Sequence, residues 1–196
     1  MGTVLGGPGL FMKAHAADAG VLYIIDSIGG TPESVTEDCT DSAGGWSYDA
    51  GTATLTLDGF QGEYIEANGD INIVLKGKNK ITISAESTEG IKSTGKVTID
   101  DTISPVQDCL DIYCNDGTES VSMIYTGGFG ADYATYIVGG TVNLVEENTR
   151  RRYVTGISRW AYVENDASLN INLSADGGRN GAAALLNFCL LYTSPS

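Results

Sequence analysis

Ile65-Glu66-Ala67-Asn68-Gly69-Asp70-Ile71-Asn72-Ile73 and, 26 positions later, Ile91-Lys92-Ser93-Thr94-Gly95-Lys96-Val97-Thr98-Ile99 share one pattern. An apolar residue is followed by three others, a turn residue, one more residue, and then apolar, polar, apolar. Ile137-Val138-Gly139-Gly140-Thr141-Val142-Asn143-Leu144 repeats it one residue shorter, and Val163-Glu164-Asn165-Asp166-Ala167-Ser168-Leu169-Asn170-Ile171 repeats it in full. A looser copy begins at Ile112 and ends in Val121-Ser122-Met123, so the copies start at 65, 91, 112, 137 and 163, separated by 26, 21, 25 and 26 positions. Leu55 and Leu57 alternate with threonines, and Ile81 and Ile83 do so 26 positions further on. Internal repetition at such a period is the signature of stacked architectures. Alternation with period two marks short strands with one buried face.

Three strands of about 4–6 residues with three turns fill about 26 residues, so the polypeptide can return above its own start and pair in parallel at about 4.8 Å. Crossovers between parallel strands are right-handed. One coil cannot bury its apolar side alone, so several must stack. The expected fold is therefore all-β: a right-handed parallel β-helix, a solenoid of about five coils. Residues 1–20 read as a leader, 21–45 as an N-terminal cap and 46–188 as the β-helix domain, with 46–176 its coils and 177–188 the start of another. Cys189 to Ser196 read as a translated sequencing adapter, which would mean truncation at the C-terminal end. Ala14-His15-Ala16 fits a cleavage site after a weakly apolar stretch, so the leader reads as a degenerate signal peptide or a disordered extension. Ile65, Ile91, Ile112, Ile137 and Val163 are expected to form one inward stack. Asn68, Asn115 and Asn165 share a turn slot that tolerates left-handed backbone, and stacked amides there would bond from coil to coil.

Composition agrees with strands and tight turns: 26 Gly against 4 Pro in 196 residues, and 42% hydrophobic. The formal charge of −14 repels phosphate backbones and anionic membrane surfaces, so nucleic acid is an unsuitable partner. No apolar run is long enough for membrane insertion. Setting Cys189 aside, Cys39, Cys109 and Cys114 make no disulfide framework and no zinc pattern. Five positions apart in one strand, Cys109 should face outward and Cys114 inward.

Little in the sequence suggests catalysis. The single histidine, His15, lies in the leader, so no Ser-His-Asp arrangement can form in the coils. Asp100-Asp101 and Glu146-Glu147 would lie about 9–10 Å apart if two coils separated them, near the spacing of an inverting glycosidase. Acidic pairs at a solvated corner are, however, commonplace in a chain of charge −14, and that is the preferred reading. Asp100 and Asp101 are candidate calcium ligands, although no Asp-x-Asp-x-Asp loop surrounds them. Arg150-Arg151-Arg152 would serve a lyase, or simply pair with Glu146 and Glu147.

Aromatic residues offer a binding surface. Tyr136 and Tyr162 immediately precede inward residues and so point outward on adjacent coils, as does Tyr64; Tyr113 is expected on the same face. Sugar rings pack their C–H faces on aromatics and need polar partners for hydroxyls. A stripe of Asn72, Thr98, Ser122, Asn143 and Asn170 would supply these from the neighbouring face. The alternative is an ordinary solvent face covered by tyrosines.

Gly45-Trp46-Ser47-Tyr48-Asp49, Ala53-Thr54-Leu55-Thr56-Leu57, the stretch from Ile65 to Ile71, and Leu75-Lys76-Gly77-Lys78-Asn79-Lys80-Ile81-Thr82-Ile83 resemble secreted bacterial carbohydrate-binding β-helix proteins, similar in fold to pectate lyases. The resemblance is strongest over 45–100 and thins beyond Asp101. It implies a secreted or cell-surface location, a polysaccharide or cell-surface glycan as partner, and calcium use. Three functions follow as expectations: a non-catalytic carbohydrate-binding or adhesive module, a structural spacer of a surface protein, or a polysaccharide lyase or hydrolase.

Overall fold

The computed structural model describes residues 21–192 apart from 86, 102–107, 115–119, 129, 147–152, 165–166, 174–180 and 187–189, and only the backbone of 181–186 and 190–192. The protein is all-β, with three mostly parallel sheets. It opens with β1 (Leu22–Ile25), β2 (Glu33–Val35), β3 (Cys39–Asp41) and β4 (Trp46–Asp49). Then come β5 (Thr54–Asp58), β6 (Gln61–Gly62), β7 (Tyr64–Ala67), β8 (Ile71–Lys76), β9 (Lys78–Ile83), β10 (Glu89–Ser93), β11 (Val97–Asp101) and β12 (Cys109–Cys114). The remainder is β13 (Val121–Thr126), β14 (Thr135–Ile137), β15 (Thr141–Glu146), β16 (Tyr153–Ser158), β17 (Ala161–Val163), β18 (Ser168–Leu173), β19 (Gly181–Leu186) and β20 (Leu190–Tyr192).

The first sheet runs β19, β16, β13, β10, β7, β1, β2; the second β20, β17, β14, β11, β8, β5, β4, β3; the third β18, β15, β12, β9, β6. From β5 on the polypeptide visits second, third and first sheet in strict rotation, and each strand from β8 on pairs in parallel with strands three places away. The antiparallel pairs are confined to β1–β2, β1–β7, β3–β4 and β4–β5. Trp46 and Tyr48 are buried there, as is Phe60, and the Trp46 indole N–H donates to Asp26 Oδ2 at 3.3 Å. The parallel part thus begins at Thr54 rather than at residue 46, because β4 pairs back against β5 as part of the cap.

Each sheet contributes its own inward column. Ile65, Ile91, Ile124 and Ile157 align in the first sheet. Leu55, Ile73, Ile99, Ile137 and Val163 align in the second. Ile81, Ile112, Leu144 and Ile171 align in the third. The five expected core residues are all buried but stand in three columns instead of one stack. The reason is that the apolar-turn-apolar pattern occurs at two corners: between first and second sheet at Ile65 and Ile91, and between second and third at Ile137 and Val163. Corner segments also vary in length. Ile65 to Ile91 is 26 positions, but Ile91 to Ile124 and Ile124 to Ile157 are 33 each. Cys109 is half-buried and Cys114 buried, on opposite faces of β12 as expected.

Candidate functional site

Along the outer face of the second sheet one register row reads Thr54, Asn72, Thr98, Tyr136, Tyr162. In β14 the flanking Thr135 and Ile137 are buried and Tyr136 is half-buried, so the tyrosine emerges by simple alternation. The Tyr136 and Tyr162 rings stack with centroids 4.6 Å apart and planes 8° from parallel. That spacing is close to the strand separation. The two rings therefore face one another along the row. One face of Tyr136 is covered by Tyr162, and the other looks over the short Thr98 side chain.

On that side lies a depression of about 380 Å3 lined by Lys96, Thr98, Ala131, Asp132, Tyr136 and Val138. Lys96 Nζ sits 5.8 Å from the Tyr136 ring centroid, at the outer limit of a cation–π contact. Lys96 is placed by the turn before β11, where its backbone N–H donates to Asp70 Oδ1 at 2.8 Å. Ala131 and Asp132 belong to a single 3-10 turn, Ala131–Tyr133, and the Tyr136 hydroxyl donates to the Ala131 carbonyl at 3.3 Å. Partial burial, then Tyr162 and Asp132, push the Tyr136 phenol pKa up, so it stays a neutral donor. A ring face, an ammonium, a carboxylate and a hydroxyl thus converge on one hollow. The repeat pattern does not point to Lys96, Ala131 or Asp132. The available signal is the extra stretch between β13 and β14, which the turns β7–β8, β10–β11 and β16–β17 lack.

The other expected site residues lie elsewhere. Tyr113 is on the third sheet, in the row of Thr82 and Val145, with Lys80 Nζ 4.5 Å from its ring centroid. It does not share a face with Tyr136, because Ile112 belongs to a different column from Ile137. The expected polar stripe is likewise divided: Asn72 and Thr98 lie on the second sheet, Ser122 on the first, Asn143 and Asn170 on the third. Asn143 and Asn170 form a ladder. Asn170 Nδ2 donates to Asn143 Oδ1 at 2.8 Å, and Asn143 Nδ2 donates to Asp111 Oδ1 at 2.6 Å. In the turn between first and second sheet, Asn68 Oδ1 accepts from the Thr94 hydroxyl at 3.0 Å. Asn115 and Asn165 lie outside the described residues, as do residues 1–20, Glu147 and Arg150 to Arg152.

Asp100 and Asp101 end β11, and Asp100 Oδ1 accepts the Asp101 N–H at 2.8 Å. Both carboxylates crowd Gly139, where an added Cβ would lie 2.6 Å from Asp100 Oδ1 and 2.4 Å from Asp101 Oδ1. Calcium takes six to eight oxygens. Two carboxylates, one already accepting a backbone hydrogen bond, do not make such a shell, and no group of three metal-ligating side chains occurs among the described residues. Glu146 does not partner them: it is buried at the end of β15, pointing inward from the third sheet in register with Cys114. The expected two-coil spacing of carboxylates fails because β11 and β15 belong to different sheets.

Comparison with protein-family models, with curated proteins and with solved structures finds no match.

Proposed function

We propose that the three sheets are the sides of a right-handed parallel β-helix, and that the protein is a secreted or cell-surface module that binds polysaccharide without cleaving it. The strict rotation through three sheets, with a separate apolar column behind each, supports the first part. The face of Tyr136 turned away from Tyr162 and toward the hollow, where Lys96 approaches it, carries the second. An aromatic face accepts the C–H side of a sugar ring, and its stiff side chain limits the entropy lost on binding. Around its rim Lys96 donates, Asp132 accepts and Thr98 does either.

Retention on insoluble polysaccharides tests the reading. Wild type is expected to be retained on at least one, and Tyr136→Ala to bind about two- to twelvefold more weakly, taking roughly 0.5–1.5 kcal/mol for a stacking contact. Equal retention of both proteins would remove Tyr136 from the site. A second reading, a structural spacer, draws support from the third sheet, where Asp111, Asn143 and Asn170 spend their polar groups on one another. Retention of wild type on no glycan would put that reading first.

A further inference from the structure

We infer that the hollow takes one sugar ring end-on, the terminus or a branch of a glycan, and not a polysaccharide laid along the row. The inference rests on the sugar-binding reading above and concerns what kind of glycan the site selects. Since Tyr136 and Tyr162 face one another along the row, a pyranose stacked on the opposite face of Tyr136 has its mean plane turned across the row rather than along it. Equatorial glycosidic bonds lie close to that mean plane. Neighbouring sugars would therefore leave parallel to the strands or out toward solvent.

The surroundings limit these exits. Beyond Tyr136 the row is closed by Tyr162 stacked behind it. Before Thr98 comes Asn72, whose amide N–H is engaged with the Thr52 carbonyl at 3.2 Å. Lys96 before β11 and Val138 after β14 line the hollow at either end of the strand direction, with Ala131 and Asp132 beside them. The hollow is broadly open outward, and that is the direction left for the rest of a glycan. The hollow's volume of about 380 Å3 lies at the small end of the roughly 300–1,000 Å3 typical of small-molecule sites, which suits a single ring. The charges suit a neutral sugar: Lys96 offers a donor and Asp132 an acceptor to its hydroxyls, whereas an acidic group on the sugar would meet Asp132 and the protein's −14 field.

Titration calorimetry and saturation-transfer NMR with methyl glycosides of glucose, galactose, mannose, xylose and N-acetylglucosamine, and with the β-1,4-linked tetramers of glucose, xylose and mannose, test this. For a sugar that binds, the tetramer is expected to match the methyl glycoside within about threefold, with saturation confined to one terminal ring. Thr98→Tyr is the decisive variant. Thr98 is in register with Tyr136, so a tyrosine there would extend the stack and fill the hollow. Binding is expected to fall by roughly tenfold or more, which is about 1.4 kcal/mol, while the melting temperature is kept. If the glycan instead lay along the row, a third ring would lengthen its platform. Thr98→Tyr binding as well as wild type or better, or saturation spread over internal rings, overturns the end-on inference and leaves Tyr136-dependent binding standing. Absence of binding to every probe overturns both.

Discussion

Glu63 is a carboxylate buried at the junction of cap and parallel sheets. Its Oε2 accepts the Gly29 N–H and its Oε1 accepts the Ser87 hydroxyl, each at 2.9 Å. Burial alone would raise its pKa, but hydrogen bonds from Ser84, Gly29 and Ser87 outweigh it and hold the group below the usual carboxylate range. A depressed folded-state pKa stabilises the protein above the unfolded value, about 4.3, and the contribution is lost as pH falls through the lower folded value. Glu66 acts in the same direction: its burial is outweighed by Lys92, 2.8 Å away, and by the Tyr64 hydroxyl. Glu63→Gln replaces charged acceptors by a neutral amide and is expected to cost about 1–2 kcal/mol at pH 7. Urea unfolding should find that difference shrinking toward about pH 3, below the unfolded value; a constant difference across that range would mean the charge is not what Glu63 contributes. Gly90 makes a steric prediction. A Cβ there would lie 2.9 Å from the Met123 carbonyl oxygen and 3.1 Å from methyl groups of Ile83 and Ile112. Gly90→Ala should destabilise by about 1–3 kcal/mol as an overpacked core substitution, read as a lower urea midpoint.

At the scale of elements, the ladder on the third sheet is open to measurement. Hydrogen bonds join β12, β15 and β18 through Asp111, Asn143 and Asn170. A double-mutant cycle of Asn143→Ala and Asn170→Ala should give a coupling of about 0.5–1.5 kcal/mol; additive losses would mean the amides act separately. The strands themselves are legible in sequence because alternation is local: Leu55 and Leu57, Ile71 and Ile73, and Val97 and Ile99 face inward as their spacing requires. Assignment of strands to sheets is not legible beyond Asp101, because corners differ in length and the same apolar-turn-apolar signal marks two of them. Local rule-breaking adds to this. Gly90 and Ile91 are both buried, as are Met123 and Ile124, so the first sheet departs from strict alternation. The site is half legible for the same reason. Tyr136 and Tyr162 follow from alternation plus a single 26-residue step, whereas Tyr113, Asn143 and Asn170 depend on the lost phase. Asp132 comes from an insertion, where no repeat can locate it.

For the whole molecule, the balance of 11 basic against 25 acidic residues dominates long-range electrostatics. Among the described residues Glu66 and Lys92 form an ion pair. With more than twice as many carboxylates as cations, such pairing cannot neutralise the surface, and the excess negative charge opposes the compact state. Added salt screens it, since the Debye length falls from about 30 Å at 0.01 M to about 10 Å at 0.1 M. The melting temperature is accordingly expected to rise between these concentrations of sodium chloride. This baseline is the reference for a test of calcium binding at Asp100 and Asp101. Sodium, magnesium and calcium chlorides compared at equal ionic strength should give shifts that differ little, because among the described residues the two carboxylates crowded against Gly139 offer too few oxygens for a specific shell. An additional stabilisation by calcium over magnesium that disappears in an Asp100→Asn, Asp101→Asn double variant would establish a calcium site at the end of β11, completed by groups beyond those two carboxylates.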